Sequence, residues 1–199
     1  MNKIICLLLT VCLATIACEN KKDPSIFTGD GTGKVGFTDS SFIKVVDGFY
    51  NWYIIENYVG PGSFSSAPAT VKITDSLYQL DVEGHIKVLK NTGFFTKRFI
   101  EYERKLVEEC NQRIIENKWM DDSELDFSGC DYFSYDRWLG GQGEDIDGHE
   151  IVAVGLQGEK RTVEVSILID GKNFSTARVF TVPENGTYKI DAINLSVGQ

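Results

Sequence analysis

The side chains best suited to chemistry lie close together in one short segment, residues 131–138. This segment combines aromatic rings with carboxylates and one arginine. The rings could supply contact area for a ligand, while Asp136 or Arg137 supplies a polar contact. The candidate ligand-binding residues are Tyr132, Tyr135, Asp136, Arg137 and Trp138. The alternative, which the residue types favour, is that the rings seal the edge of a sheet while the charged groups face water.

Catalysis would require a general acid or base beside this segment. The chain has two histidines, His85 and His149. We expect His85 to be exposed on a short helix, and His149 begins a predicted strand. A hydrolase or isomerase would have Asp136, Tyr132 and His149 as its first catalytic candidates, with contacts of about 3 Å between a base and its partner. No spacing in the sequence requires such contacts, so a non-enzymatic protein is the favoured prediction.

The sequence predicts no metal site and no cofactor. Its histidines and the cysteines beyond the leader do not have the spacing of a ligand set. The glycine-rich residues 29–34 lack the glycine-to-lysine spacing of a phosphate loop. The acidic segment 144–150 is too short for a calcium hand, because Glu150 comes too soon to be its last ligand. The net charge of -9 argues against nucleic acid as a partner, because an acidic surface repels phosphate.

The first 17 residues predict an exported protein. An early lysine is followed by an apolar run from Ile4 to Ala17, which is too short to span a membrane but typical of a signal peptide. Because Cys18 follows a small residue, the leader resembles a bacterial lipoprotein signal, in which that cysteine is acylated and becomes the N-terminus. The resemblance implies an outer-membrane lipoprotein that faces the periplasm or the cell surface. The alternative is an ordinary secretory signal, which also predicts export.

The remainder divides into a tether and one domain. Residues 18–39 are polar and glycine-rich, which predicts a flexible, lipid-anchored tether. Residues 40–199 have the size and apolar content of a single domain. Its two cysteines, Cys110 and Cys130, could form a disulfide that closes a loop of about 20 residues and contributes about 3 kcal/mol to stability. Two buried free thiols are the alternative.

Three helices are predicted before residue 118. They cover about residues 41–57, 82–92 and 97–117, where apolar residues recur at helical spacing. Asp81 and Thr96 are the predicted N-caps of the second and third helices, and Gly93 is the predicted C-cap of the second. Residues 71–80, which precede the second helix, form a short extended or mixed piece.

After residue 150 the apolar pattern has a period of two. It predicts strands over residues 151–156, 162–169, 174–182 and 188–195, joined by turns rich in glycine, asparagine and aspartate. Val163, Val165 and Ile167 share one face of the second of these strands. The predicted fold class is therefore α+β, with N-terminal helices packed on a curved four-stranded antiparallel sheet. The first and third helices are expected to cover the sheet's apolar face.

The order of several short motifs carries a resemblance over residues 40–196. The motifs are Phe49-Tyr50-Asn51-Trp52-Tyr53, Leu80-Asp81, Thr92-Gly93-Phe94-Phe95, Asp131-Tyr132-Phe133 and Tyr188-Lys189-Ile190-Asp191-Ala192-Ile193. In this order the chain resembles a family of bacterial envelope lipoproteins of unknown function with a nuclear transport factor 2-like, or cystatin-like, cone fold. The resemblance implies a helix in the hollow of a bent sheet and a pocket at its open end, and it transfers no catalytic residue.

Together these features predict a non-enzymatic envelope lipoprotein whose domain binds a partner protein or a small apolar ligand. The resemblance implies one alternative, an immunity-type inhibitor of a periplasmic peptidoglycan amidase toxin. A hydrolase or isomerase working in the cone is the other. The enzyme predicts a deep cavity into which a candidate polar group points, whereas protein binding predicts a solid core with an exposed aromatic patch.

Overall fold

The structure is a computed structural model, and it describes most of the chain after residue 40. The described residues are 25–28, 40–57, 64–74, 77–117, 130, 136–141 and 145–197. The predicted leader, the lipidation candidate Cys18 and two of the ligand-binding candidates, Tyr132 and Tyr135, lie outside them.

The three predicted helices are confirmed. They are α1 (Ser41–Tyr50), α2 (Val82–Thr92) and α3 (Lys97–Glu116), and α1 continues as a π-helical segment, Asn51–Asn57. The side chain of Asp81 accepts a hydrogen bond from the Gly84 amide, and that of Thr96 accepts one from the Phe99 amide. Gly93 ends α2 with a φ of 70°, a left-handed conformation that glycine adopts without strain. At Asp81, Gly93 and Thr96 the residue type was therefore sufficient to predict where a helix begins or ends.

In the described part of the chain, seven strands form two sheets. They are β1 (Ser25–Thr28), β2 (Thr70–Thr74), β3 (Leu77–Leu80), β4 (Gly148–Gln157), β5 (Lys160–Ile169), β6 (Lys172–Glu184) and β7 (Thr187–Val197). The larger sheet has the order β1-β4-β5-β6-β7, and β2 and β3 form a separate hairpin. Strands β4 to β7 are the predicted antiparallel meander, each slightly longer than predicted. The α+β class is confirmed at this level.

Two features of the predicted architecture are corrected. Ser25–Thr28, inside the predicted tether, pairs in parallel with β4 as an edge strand, so the tether is not unstructured at these four residues. The order of helices first and sheet afterwards is only approximate, because β1 precedes the helices and the hairpin of β2 and β3 separates α1 from α2.

The main core lies between α1 and the meander. Phe42, Val46 and Phe49 of α1 are fully buried, and so are Val163, Val165 and Ile167 of β5. The predicted alternation of β5 is thereby confirmed, since its apolar side chains point to one face. Helix α1 packs against β5, β6 and β7.

Helix α3 covers less of the sheet than predicted. Its N-terminal end lies on β7, where Thr96 and Arg98 both bind the carboxylate of Asp191. Farther along, its buried face turns away from the sheet and packs with α2 and β3 in a second apolar cluster, whose members are Leu80, Val107, Cys110, Ile114 and Cys130. The described residues thus form two apolar clusters, with α3 contributing to both.

Candidate functional site

The predicted ligand-binding segment forms a tight turn at residues 136–141. One carboxylate oxygen of Asp136 accepts hydrogen bonds from the amides of Trp138 and Leu139, each at 2.9 Å. The Asp136 amide donates to the Gly141 carbonyl, and the Gly140 amide donates to the Asp136 carbonyl at 2.7 Å. Asp136 therefore organises its own turn, which is the usual role of an aspartate at such a position.

The other carboxylate oxygen of Asp136 accepts a short hydrogen bond from the Tyr53 hydroxyl. That hydroxyl accepts one from the Ser66 amide at 2.7 Å, and the Ser66 hydroxyl accepts one from the Arg137 amide at 3.1 Å. Burial raises the pKa of the Asp136 carboxyl, against the lowering effect of these donors, and it also raises the pKa of Tyr53. The network joins the π-helical segment, residues 64–69 and the turn.

Arg137 forms a buried ion pair with α3. Its guanidinium donates two hydrogen bonds of 2.9 Å to the two carboxylate oxygens of Glu103, whose side chain is 1% exposed. This fork arrangement is the strongest geometry available to an arginine and a carboxylate. The prediction that Asp136 and Arg137 face water is therefore wrong, because both are occupied in contacts inside the protein.

Trp138 is a core residue and does not line a cavity. Its side chain is 1% exposed and contacts four rings at centroid distances of 4.9 to 6.2 Å, those of Tyr53, Phe49, Phe95 and Phe64. The Trp138 carbonyl accepts a hydrogen bond from Tyr50. Trp138 thus lies in the main core, away from the sheet edge that the alternative assigned to the aromatic rings.

The described catalytic candidates are each bound to a different partner. His149 lies on β4 with Nε2 3.0 Å from a carboxylate oxygen of Asp47 on α1, and its ring lies beside that of Tyr50. Asp136 binds Tyr53 and the backbone of its own turn. The deep cavity expected of an enzyme is not found around these side chains in the described part of the chain. The exposed aromatic patch expected of a protein-binding domain is also not found there, since the exposed large apolar side chains are Ile55, Val71, Ile73, Tyr102 and Ile115.

His85 was predicted to be exposed, and this is wrong. The residue is 4% exposed, and its ring stacks on Phe64 at a centroid distance of 5.2 Å. Neither ring nitrogen has a hydrogen-bond partner among the described residues. Burial, with a smaller contribution from the nearby positive charge of Arg137, lowers the pKa of His85 to about 4, while Asp81 opposes both effects. The imidazole is therefore neutral at pH 7.

A cleft of about 470 Å³ lies beside His85, between α2 and residues 64–69. One side is formed by residues of α2 and its cap, among them Asp81, His85 and Val88. The other side is mainly apolar and includes Ala67 and Pro68. The volume falls within the range of sites for small molecules. No sequence pattern pointed to this cleft, because its two sides are brought together by tertiary contacts.

The disulfide between Cys110 and Cys130, one of two alternatives in the sequence, is present. Their Cα atoms are 5.5 Å apart, and both residues are buried in the second apolar cluster. The bond attaches residue 130 to α3, and the ion pair of Arg137 with Glu103 attaches the following turn to the same helix. Within the described ranges, no group of three or more histidine, cysteine, aspartate or glutamate side chains is arranged to hold a metal.

Comparison of the chain with protein-family models, with curated protein sequences and with solved structures finds no match. Among the helices of the described residues, none combines the length and apolar character needed to cross a membrane.

Proposed function

We propose that the chain is an exported lipoprotein of the cell envelope whose domain binds a small apolar ligand without catalysing a reaction. The observation that carries the proposal is the disulfide between Cys110 and Cys130, together with the leader that ends before Cys18. Disulfides persist in oxidising compartments such as the periplasm and are rare where thiols are kept reduced. A buried disulfide behind a signal-like leader therefore supports export.

The hydrogen bonds of Asp136 and His149 support a binding function without catalysis. Asp136 accepts hydrogen bonds from Tyr53, Trp138 and Leu139, and His149 is bound to Asp47. These contacts hold the fold together, which argues against the hydrolase or isomerase that would need such groups free for a substrate. The cleft beside His85 is the described feature that best fits a small ligand, and we favour it over a partner protein.

We also propose that the sheet is bent into a cone of the nuclear transport factor 2-like type. Register shifts occur in β4 between Ile151 and Ala153, in the pairing of β5 with β6, and in that of β6 with β7 at Phe180 and Thr181. Such bulges bend strands and increase their twist. They support a curved sheet around α1.

With Cys18 acylated, the domain would lie close to the membrane. Six residues, 19–24, separate Cys18 from the start of β1 at Ser25. An extended chain covers at most about 3.5 Å per residue, so the anchor reaches about 25 Å from β1. A free tether up to residue 39 would instead reach about 75 Å. The pairing of β1 with β4 would thus keep the β4 edge of the sheet near the lipid surface.

The anchor is tested by substituting Cys18→Ser in the full-length chain and separating membranes from soluble protein. We expect the native protein in the membrane fraction and the variant in the soluble part of the envelope, because one acyl-bearing residue is removed. The matched control is Cys12→Ser, which changes a cysteine within the apolar leader and should leave the protein membrane-bound. Membrane association of the Cys18→Ser protein equal to that of the native protein would contradict lipidation.

Export is tested separately by the state of the thiols. In the mature lipoprotein the acylated Cys18 has no free thiol, and Cys110 and Cys130 are bonded to each other. We therefore expect a maleimide of high mass to add nothing to denatured protein from intact cells, and to add two adducts after reduction. The variant Cys110→Ser should accept one adduct without reduction. Five adducts on unreduced native protein, one for each cysteine of an unprocessed chain, would place the domain in a reducing compartment.

A further inference from the structure

The cleft beside α2 has an unusual wall, because it contains a buried imidazole without hydrogen bonds. His85 is 4% exposed, and both of its nitrogens lack a partner among the described residues. Burying a polar group in this way costs roughly 1–3 kcal/mol. Native proteins leave few such groups unsatisfied, so each requires an explanation. A ligand that binds in the cleft and supplies the missing hydrogen-bond partner would be such an explanation.

The residues around the cleft define what such a ligand can be. Ala67, Pro68 and Val88 give apolar contact, and Asp81 places a carboxylate on the same cleft. No lysine or arginine is among the residues that line it. An anionic ligand would therefore meet a negative charge without a cation to pair with, whereas an uncharged apolar molecule would not.

Residues 64–69, which form the side of the cleft opposite α2, are held in place by hydrogen bonds to the rest of the protein. Ser66, which is fully buried, donates its amide to the Tyr53 hydroxyl and accepts from the Arg137 amide through its own hydroxyl. A wall fixed in advance loses little entropy when a ligand binds.

From these observations we infer that the cleft between α2 and residues 64–69 binds a small uncharged apolar compound with one hydroxyl group, which hydrogen-bonds to the imidazole of His85. A neutral imidazole has one donor and one acceptor, and a hydroxyl can pair with either. Because both nitrogens are covered in this structure, the inference includes a rotation of the His85 side chain, away from its stack on Phe64, that brings one nitrogen to the cleft. The inference names the ligand class of the proposed binding function and rests on it.

The test uses three probes with the same ring. They are 4-methylphenol, toluene, which lacks the hydroxyl, and benzoate, which carries a negative charge. Each is titrated at pH 7 into the isotopically labelled full-length chain with Cys18→Ser, and the imidazole signals are followed by NMR. Because the chain has two histidines, the variant His149→Gln assigns both signals and serves as the control.

We expect 4-methylphenol to shift the His85 signals saturably while those of His149 stay unchanged. Toluene should bind about tenfold more weakly, as the loss of one hydrogen bond to a buried group predicts, and benzoate should leave His85 unaffected. In His85→Leu, where the amide signal of Val88 in the cleft is followed instead, the preference for 4-methylphenol over toluene should disappear. A His85 signal that does not respond to 4-methylphenol, or equal affinity for toluene, would overturn the inference. Membrane fractionation of Cys18→Ser reads location alone, so failure of the anchor and failure of the cleft are distinguishable.

Discussion

Replacing Arg137 with methionine is expected to lower the free energy of unfolding by about 3–5 kcal/mol. This is the largest effect that we expect from breaking any one of the ion pairs described above. The carboxylate of Glu103 is 1% exposed and loses its bidentate partner in this variant. Methionine keeps much of the volume of the arginine side chain, so the loss comes from the unpaired charge more than from a cavity. For a domain of this size, a loss of this magnitude lowers Tm by roughly 10 °C.

The partner variant separates the cost of an unpaired charge from the contribution of the pair. With Glu103→Met added to Arg137→Met, no buried charge is left unpaired at this site, and we expect most of the lost stability to return. Urea unfolding of the native protein, both single variants and the double variant measures the coupling. Recovery should be visible as a shift of the midpoint back toward the native value without a change of slope.

A matched control is available on the surface. Arg178 and Glu164 form a cross-strand ion pair at 2.6 Å on β6 and β5, with side chains 58% and 33% exposed. Since water screens such a pair, Arg178→Met should cost less than about 1 kcal/mol. If Arg137→Met costs no more than Arg178→Met, the pair of Arg137 with Glu103 does not hold the turn to α3 as described.

The elements of the fold were predictable wherever a local pattern decides them. Val163, Val165 and Ile167 alternate along β5, and this period is a property of the strand itself. Asp81 and Thr96 have side chains that satisfy the first amides of a helix, so their types alone mark the helix starts. These features need no knowledge of distant residues, which is why sequence and structure agree on them.

Features that depend on distant partners were predicted poorly. Strand β1 has four residues, too few for a periodic pattern, and its partner β4 begins more than a hundred positions later. Arg137 was assigned to the surface by its residue type, because its partner Glu103 lies 34 positions away. A signal for Glu103 did exist, since it shares the spacing of the buried face of α3 with Phe99 and Val107.

His85 shows the same conflict within a single helix. The position lies three residues after Val82 and four before Leu89, so the helical period places it on the buried face of α2. The residue type, histidine, favoured an exposed position, and the prediction for His85 followed the residue type. Periodicity was the better guide because the apolar stripe must face Phe64 and the core, whatever residue occupies it.

The burial of His85 predicts that stability falls in mild acid. Its pKa is about 4 in the folded protein, against 6.5 for an unperturbed histidine. Between these two values the unfolded chain binds a proton that the folded protein does not, so the free energy of unfolding decreases as pH falls. The contribution is complete above pH 6.5 and is lost as pH falls to about 4. At about 1.4 kcal/mol for each unit, the loss amounts to about 3 kcal/mol.

The measurement is urea unfolding at a series of pH values from 7.5 to 4, on the native protein and on His85→Leu. The two curves of stability against pH should diverge below pH 6.5, with the native protein losing about 3 kcal/mol more than the variant. Other groups, including Asp136 with its raised pKa, are present in both proteins, so the difference between the curves isolates His85. The variant His149→Gln retains His85 and should keep the divergence from His85→Leu. Parallel curves would mean that His85 takes up a proton as readily in the folded protein as in the unfolded chain, and would contradict its burial without hydrogen-bond partners among the described residues.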